Sequence, residues 1–76
     1  MREKIIDVLS QELSLNRGEI TVDLRYNSVP EWDSVAHMTL ISALEEKFGV
    51  MFENEDIVEM TTISAIERIV SKHVSA

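Results

Sequence analysis

The segment that decides the fold is WDSVAHMTLISALEEKFG, residues 32–49. Its apolar side chains recur at three- and four-residue steps, which is the spacing of one face of an α-helix. They are Val35, Met38, Ile41, Leu44 and Phe48, with Leu40 beside the stripe. Asp33 or Ser34 can cap this helix because a side-chain oxygen there accepts a free backbone N–H. Gly49 suits the position that follows a helix. The pattern predicts a helix that begins at residue 33 or 34 and ends at residue 48.

Three further segments have helical patterns, and together they predict an all-α protein. Residues 3–13 form an amphipathic helix, residues 53–59 allow one or two turns with Asn54 as the cap, and a last helix begins after Thr61 or Thr62. The apolar positions of the first and last helix are Ile5, Ile6, Leu9 and Leu13, and Ile63, Ile66, Ile69, Val70 and Val74. We therefore expect a small four-helix bundle with three main helices and one short helix.

The connection at residues 14–33 is open to two interpretations. Ile20, Val22, Leu24 and Tyr26 alternate with polar residues, which is typical of a strand. The only available partner is residues 50–52, and an isolated pair of short strands is marginally stable. We favour a long ordered loop that packs its apolar side chains onto the helices, with Gly18 at the exit of the first helix or in a turn.

Length and composition exclude several classes of protein. The chain has 76 residues, a formal net charge of −7 and no cysteine, so we expect one domain over residues 1–76 without a disulfide framework or a thiolate zinc site. The acidic balance argues against nucleic acid as a partner, because nucleic acid is a polyanion. No apolar run is long enough for membrane insertion. We expect a monomer in the cytoplasm, and a domain this small is a binding or carrier module more often than an enzyme.

The negative charge is confined to the middle of the chain. Residues 31–59, here called the acidic segment, contain eight acidic side chains and a single lysine, so this segment carries the full net charge. Such a segment is either a solvated face that aids solubility or a docking surface for basic partners.

Ser34 is the residue with the clearest potential for chemistry. An ordinary helix cap explains an Asp-Ser pair, but a phosphate ester on Ser34 would also lie beside the free N–H groups of the helix. The other candidates are weak. His37 and His73 stand alone in the sequence and predict no metal site, and Asp33, Ser34 and His37 are neighbours on one turn without the oxyanion site that a triad needs.

The sequence resembles the acyl carrier protein family, the carrier domains that bear phosphopantetheine. Residues 32–35 are similar to the Asp-Ser-Leu signature of the family, residues 38–49 to its second helix, and residues 52–56 and 60–63 to its third helix and the entry to its fourth. The resemblance covers nearly the whole chain in order, and it implies a four-helix bundle with a long first loop.

The resemblance also implies a function. A separate phosphopantetheinyl transferase would attach 4′-phosphopantetheine from coenzyme A to Ser34, next to Asp33. The arm would hold acyl or aminoacyl groups as thioesters for loading and transferring enzymes, and the carrier itself would not be an enzyme. The resemblance implies that partners dock largely on the second helix, and with the charge of the acidic segment we expect the docking residues to be Val35, Glu45, Glu46, Glu55 and Asp56. The residues that would line a cargo pocket are Met38, Leu44, Phe52, Met60, Ile63 and Ile66. The alternative is an unmodified helical protein-interaction module with the carrier fold.

Some positions depart from the pattern of fatty-acid carriers. Val35 replaces the usual Leu, and Ala36 and Thr39 stand where those carriers often have carboxylates. Trp32 before Asp33 looks more like carriers of specialised pathways. Phe52 and Ile66 are larger than the residues common at those positions, so we expect less room for an acyl chain and a short or polar cargo.

Overall fold

The computed structural model describes residues 1–75, and these residues contain four α-helices. They are α1 (Arg2–Leu13), α2 (Ser34–Phe48), α3 (Asn54–Glu59) and α4 (Ile63–Ser75). This part of the chain has no strand, and its β-type pairing is limited to one antiparallel bridge between Arg25 and Thr62. The predicted all-α architecture, with three main helices, one short helix and a long first loop, is confirmed.

Helix α2 begins and ends where its sequence predicts. The Asp33 side chain accepts a hydrogen bond from the backbone N–H of Ala36, so Asp33 is the N-cap. Gly49 has a φ of 66° and ends the helix in the left-handed conformation that glycine adopts readily. The buried face of α2 consists of His37, Leu40, Ile41 and Leu44. The predicted stripe was therefore wrong at its N-terminal half, because Val35 and Met38 are exposed and His37 is buried.

The connection from α1 to α2 is an ordered loop with a single turn of 3-10 helix at Arg17–Glu19. Leu15, Ile20 and Leu24 are buried, so this loop packs apolar side chains onto the helices as expected. Gly18 does not end α1. It lies inside the 3-10 turn, and Ser14 ends the helix with a φ of 55°.

Side chains at the starts of α3 and α4 satisfy backbone groups. Glu53, rather than the predicted Asn54, precedes α3, and the Asp56 carboxylate accepts the backbone N–H of Glu53 at 3.1 Å. Thr62 Oγ1 accepts the backbone N–H of Ala65 at 3.1 Å, so Thr62 caps α4 as predicted.

One continuous core joins the loop and the helices, with α1 packed against both α2 and α4, and α3 against α4. Its buried apolar residues are Ile5, Val8, Leu9, Leu13, Leu15, Ile20, Leu24, Trp32, Leu40, Ile41, Leu44, Phe52, Met60, Ile63, Ile66, Ile69 and Val70. Val8 joins this core, while Ile6 is only partly buried against it and Val74 is exposed.

Candidate functional site

Ser34 is the first residue of α2, and its side chain is exposed. The capping role at this end of the helix belongs to Asp33, whose carboxylate accepts the Ala36 N–H at 2.8 Å while its carbonyl accepts the His37 N–H at 2.8 Å. The hydroxyl group of Ser34 is therefore not needed to begin the helix, and it is presented to solvent at a fixed place on the surface.

The loop before Ser34 is held by backbone hydrogen bonds. Asn27 N–H donates to the carbonyl of Trp32 at 2.9 Å, and Trp32 N–H donates to the carbonyl of Val29 at 3.2 Å. Asn27 has a φ of 67°, a conformation that asparagine tolerates better than most residues. The Trp32 side chain is fully buried. The chain therefore enters α2 from a fixed position, which orients Ser34.

The N-terminus of α2 fits a phosphate ester on Ser34. The first turn of an α-helix leaves backbone N–H groups without partners inside the helix, and the helix dipole favours an anion at this end. In α2 the Asp33 carboxylate takes up the N–H of Ala36 only. The N–H groups of Ser34 and Val35 lie on the same turn and suit a singly charged phosphodiester.

Exposed apolar side chains surround this turn. On α2, Val35 and Met38 are 75% and 53% exposed, and Val58 on α3 is 75% exposed. A hydrogen bond between His37 and the Ile57 carbonyl joins the two helices at this point, so Val58 lies on the part of α3 next to the first turn of α2. The surface near Ser34 is thus partly apolar although the segment is acidic.

The four acidic residues that we expect to contribute to docking differ in their surroundings. Glu46 and Glu55 are exposed, and Glu46 lines the groove between α1 and α2. The Glu45 side chain is half-buried, and its carboxylate accepts the backbone N–H of Phe52 at 2.9 Å, so it supports the connection from α2 to α3.

Asp56 is buried and belongs to a small ionic cluster. Its carboxylate accepts hydrogen bonds from His73 Nε2 at 2.8 Å and from Lys72 Nζ at 3.2 Å, both on α4. The hydrogen bond from His73 contributes most to lowering the pKa of Asp56 from 3.8 to about 2, and the backbone N–H of Glu53 contributes next. Asp56 therefore ties α3 to α4 and presents little of its charge to a partner.

Five of the six residues implied for a cargo pocket lie in the core. Leu44, Met60, Ile63 and Ile66 are buried almost completely, and Phe52 lies at the core edge against the His73 ring. Met38 is the exception, because it is exposed on the outer face of α2. The inner residues fill the space between the helices with their own side chains.

His37 is a buried residue of this region that the sequence did not single out for the site. Its ring contacts Trp32 and the end of α3, and it lines a cleft of about 270 Å³ with Tyr26, Ile57, Val58 and Thr61. The signal that could have indicated its burial is its position three residues after Ser34 and one turn before Leu40 and Ile41, which lie on the same buried face of α2. Within the described residues, no group of three or more His, Asp or Glu side chains is arranged to hold a metal ion.

Comparison with known proteins defines the class of this fold and site. The family model for the phosphopantetheine attachment site matches residues 3–70. An acyl carrier protein of Lactobacillus johnsonii is 29% identical over 70 residues, which cover 92% of this chain and 88% of that protein. An acyl carrier protein of Petrotoga mobilis is 27% identical over 70 residues, which cover 92% and 82% of the two chains.

The chain belongs to the acyl carrier protein family. It is a carrier protein and not an enzyme, and its cofactor is a covalently attached 4′-phosphopantetheine group. Proteins of this family interact with a phosphopantetheinyl transferase and with enzymes that handle acyl groups.

No helix within residues 1–75 has the length and apolar character needed to span a membrane.

Proposed function

We propose that Ser34 is the residue that carries the phosphopantetheine arm, and that the protein holds acyl or aminoacyl groups on that arm as thioesters. The observation that carries the proposal is the exposed Ser34 side chain at the first position of a 15-residue helix whose cap is supplied by Asp33. A serine that capped the helix would have its hydroxyl occupied, whereas this one is accessible to a transferase.

The attachment reaction needs only the hydroxyl group from this chain. A transferase moves the phosphopantetheine half of coenzyme A to Ser34 Oγ, so that one phosphodiester bond forms as the pyrophosphate bond of coenzyme A breaks. The serine loses its proton, and adenosine bisphosphate leaves. The thiol that later holds the cargo belongs to the arm, which is consistent with a chain without cysteine.

The surface around Ser34 supports delivery of the cargo to partner enzymes. We propose that Val35, Met38 and Val58 make apolar contacts with a partner, since all three are exposed near the attachment residue. Glu46 and Glu55 attract basic side chains of the partner from a longer range. Glu45 and Asp56 shape this surface from within, because their carboxylates are engaged by Phe52 N–H and by α4.

Intact-protein mass spectrometry tests the proposal. Wild type, Ser34→Ala and Ser42→Ala are incubated with coenzyme A, Mg²⁺ and a broad-specificity phosphopantetheinyl transferase. Ser42 is the matched control, since it is also exposed on α2. We expect wild type and Ser42→Ala to gain one phosphopantetheine group and Ser34→Ala to gain none. Modification of Ser34→Ala would contradict the assignment, and no modification of any protein would favour the unmodified interaction module.

A further inference from the structure

Both ring nitrogens of His37 are used to join separate parts of the fold. The indole N–H of Trp32 donates to His37 Nδ1 at 3.0 Å, and His37 Nε2 donates to the carbonyl of Ile57 at 2.9 Å. The His37 ring also stacks on Trp32 with 6.1 Å between centroids and meets the Tyr26 ring edge-on at 5.1 Å. We call the hydrogen-bonded chain Trp32–His37–Ile57 the His37 bridge.

The partners of His37 determine its protonation. An indole N–H can only donate a hydrogen bond and a carbonyl oxygen can only accept one. Nδ1 must therefore be the acceptor and Nε2 the donor, which describes a neutral imidazole with its proton on Nε2. Within residues 1–74, no buried side-chain nitrogen or oxygen lacks a partner, so both ring nitrogens of His37 and the indole N–H of Trp32 are satisfied.

The bridge begins at the N-terminal end of the buried face of α2. His37 lies one turn along α2 from Ser34, and the next residues on its buried face are Leu40 and Ile41. On its outer side is the cleft of about 270 Å³ between the loop, α2 and α3. Because this cleft adjoins the turn of α2 that follows Ser34, a cargo group that folds back along α2 can enter it and would there contact His37.

We propose that the His37 bridge sets the length limit of the cargo. Short groups remain on the arm or in the cleft, and longer acyl chains are kept out of the bundle as long as the bridge is closed. His37 is then a specificity-determining residue rather than a catalytic one. The inference rests on the proposed attachment at Ser34.

The physical reason is that passage requires two hydrogen bonds to break, of which the Trp32–His37 bond is buried and the His37–Ile57 bond is half-buried. The Trp32 indole N–H would lose its partner inside the core, and an unmade buried hydrogen bond is costly. The interior behind the bridge is closely packed, since Met60, Ile63 and Ile66 are buried almost completely, so the room for a longer chain comes from the space that the His37 side chain now occupies beside the cleft. A longer chain gains by burying methylene groups only after this barrier has been removed.

The test compares acetyl-loaded and octanoyl-loaded forms of wild type and His37→Ala by thermal unfolding and amide NMR shifts. For wild type we expect the two melting temperatures to agree within about 1 °C, with no octanoyl-dependent shifts at Ile63 or Ile66. For His37→Ala we expect the octanoyl form to melt higher by on the order of 5 °C, with shifts at Met60, Ile63 and Ile66.

Two variants control for a general loosening of the core. Leu13→Ala removes a buried side chain of α1 outside the cleft and should show no octanoyl effect. His37→Gln keeps an acceptor and a donor on one side chain and should behave more like wild type than His37→Ala does. Octanoyl stabilisation of wild type, or an equal effect in Leu13→Ala, would overturn the proposal. If His37→Ala does not fold, Trp32→Phe, which removes the indole N–H that donates to His37, takes its place. Absence of an octanoyl effect in that variant would then overturn the proposal.

Intact mass measured before the cargo comparison separates the two proposals. Absence of the arm after incubation with the transferase contradicts the proposed function only. In that case soluble octanoyl-pantetheine is titrated into unmodified wild type and His37→Ala. Shifts at Ile63 and Ile66 in the variant alone would support the bridge as a barrier, and equal shifts in both proteins would overturn it.

Discussion

At the start of α2, Asp33 rather than Ser34 caps the helix. The Asp33 carboxylate satisfies a backbone N–H of the first turn, so the adjacent hydroxyl of Ser34 remains exposed. A carboxylate at this end is also favoured by the helix dipole. The arm that we propose on Ser34 would place a phosphodiester next to the Asp33 carboxylate, and the N–H groups of the turn would stabilise both negative groups.

Replacing Asp33 with alanine should weaken the start of α2. Loss of an N-cap side chain costs about 0.5–2 kcal/mol in the free energy of unfolding. Asp33→Asn keeps an oxygen that accepts the Ala36 N–H and should lose much less. Urea denaturation of the two variants measures the difference, and equal stabilities would show that the cap contributes nothing.

His37 illustrates what the sequence does and does not reveal at this scale. The Asp-Ser pair before an amphipathic segment is local, but it predicted Ser34 as the attachment residue only together with the resemblance of nearly the whole chain to the carrier family. The His37 bridge depends on a carbonyl twenty residues away at Ile57 and on an indole that faces inward. Helical periodicity contains no information on such a contact, so the place of His37 beside Leu40 and Ile41 could indicate burial but not the bridge.

At the scale of elements, the limits of α2 followed from its sequence but its orientation did not. A period of 3.6 residues and the residues at its two ends are local properties, and both were predicted correctly. The predicted stripe included Val35 and Met38, whereas the buried face begins at His37. Which side of a broadly apolar helix faces the core is decided by the elements packed against it, and these come from distant parts of the chain.

Gly49 is the residue at the end of α2 that should tolerate alanine least. Its φ of 66° is unfavourable for residues with a Cβ, and a Cβ there would meet no atom within 4 Å, so the cost is conformational. We expect Gly49→Ala to lose about 1–2 kcal/mol.

Gly18→Ala is the matched control, because it also has open space and no positive φ. It should be neutral or more stable by about 0.4–1 kcal/mol, since alanine restricts the unfolded chain. Thermal unfolding of both variants checks the contrast, and equal melting temperatures would contradict it.

The stability that Asp56 gives to the junction of α3 and α4 should depend on pH. The pKa of Asp56 is lowered to about 2 in the folded protein, compared with about 3.9 in an unfolded chain. The charged carboxylate therefore stabilises the fold when the pH is above about 4, and this contribution disappears as the pH falls from about 4 to 2. We expect the stability difference between wild type and Asp56→Asn to shrink over this interval in urea denaturation. A difference that is constant with pH would contradict the role of Asp56.

At the scale of the molecule, the net charge is gathered on residues 31–59 while the rest of the chain is balanced. The structure divides these acidic groups into some that hold the fold together, such as Glu45 and Asp56, and others that face solvent, such as Glu46 and Glu55. Charge counted along the sequence could not make this distinction, because it depends on which backbone groups and which helices come close after folding.

Reversal of the exposed charges should slow attachment of the arm. We expect Glu46→Lys with Glu55→Lys to lower the rate of transferase modification more than Glu19→Lys with Asp23→Lys, an exposed pair outside the acidic segment that gives the same net charge. The difference should diminish at higher salt, because exposed charges are screened over roughly 8–10 Å at 0.1–0.15 M ionic strength. Equal rates for the two double variants would contradict a localised docking surface.

The central claim is that the arm is attached to Ser34, and fragmentation of one peptide tests it most directly. Cleavage after Arg25 and Lys47 releases residues 26–47, which contain Ser28, Ser34 and Ser42. After modification by the transferase, tandem mass spectrometry of this peptide shows which serine carries the added mass. The account predicts phosphopantetheine on Ser34 alone. Its attachment to Ser28 or Ser42, or an unmodified peptide from a protein that has gained the arm, would contradict it.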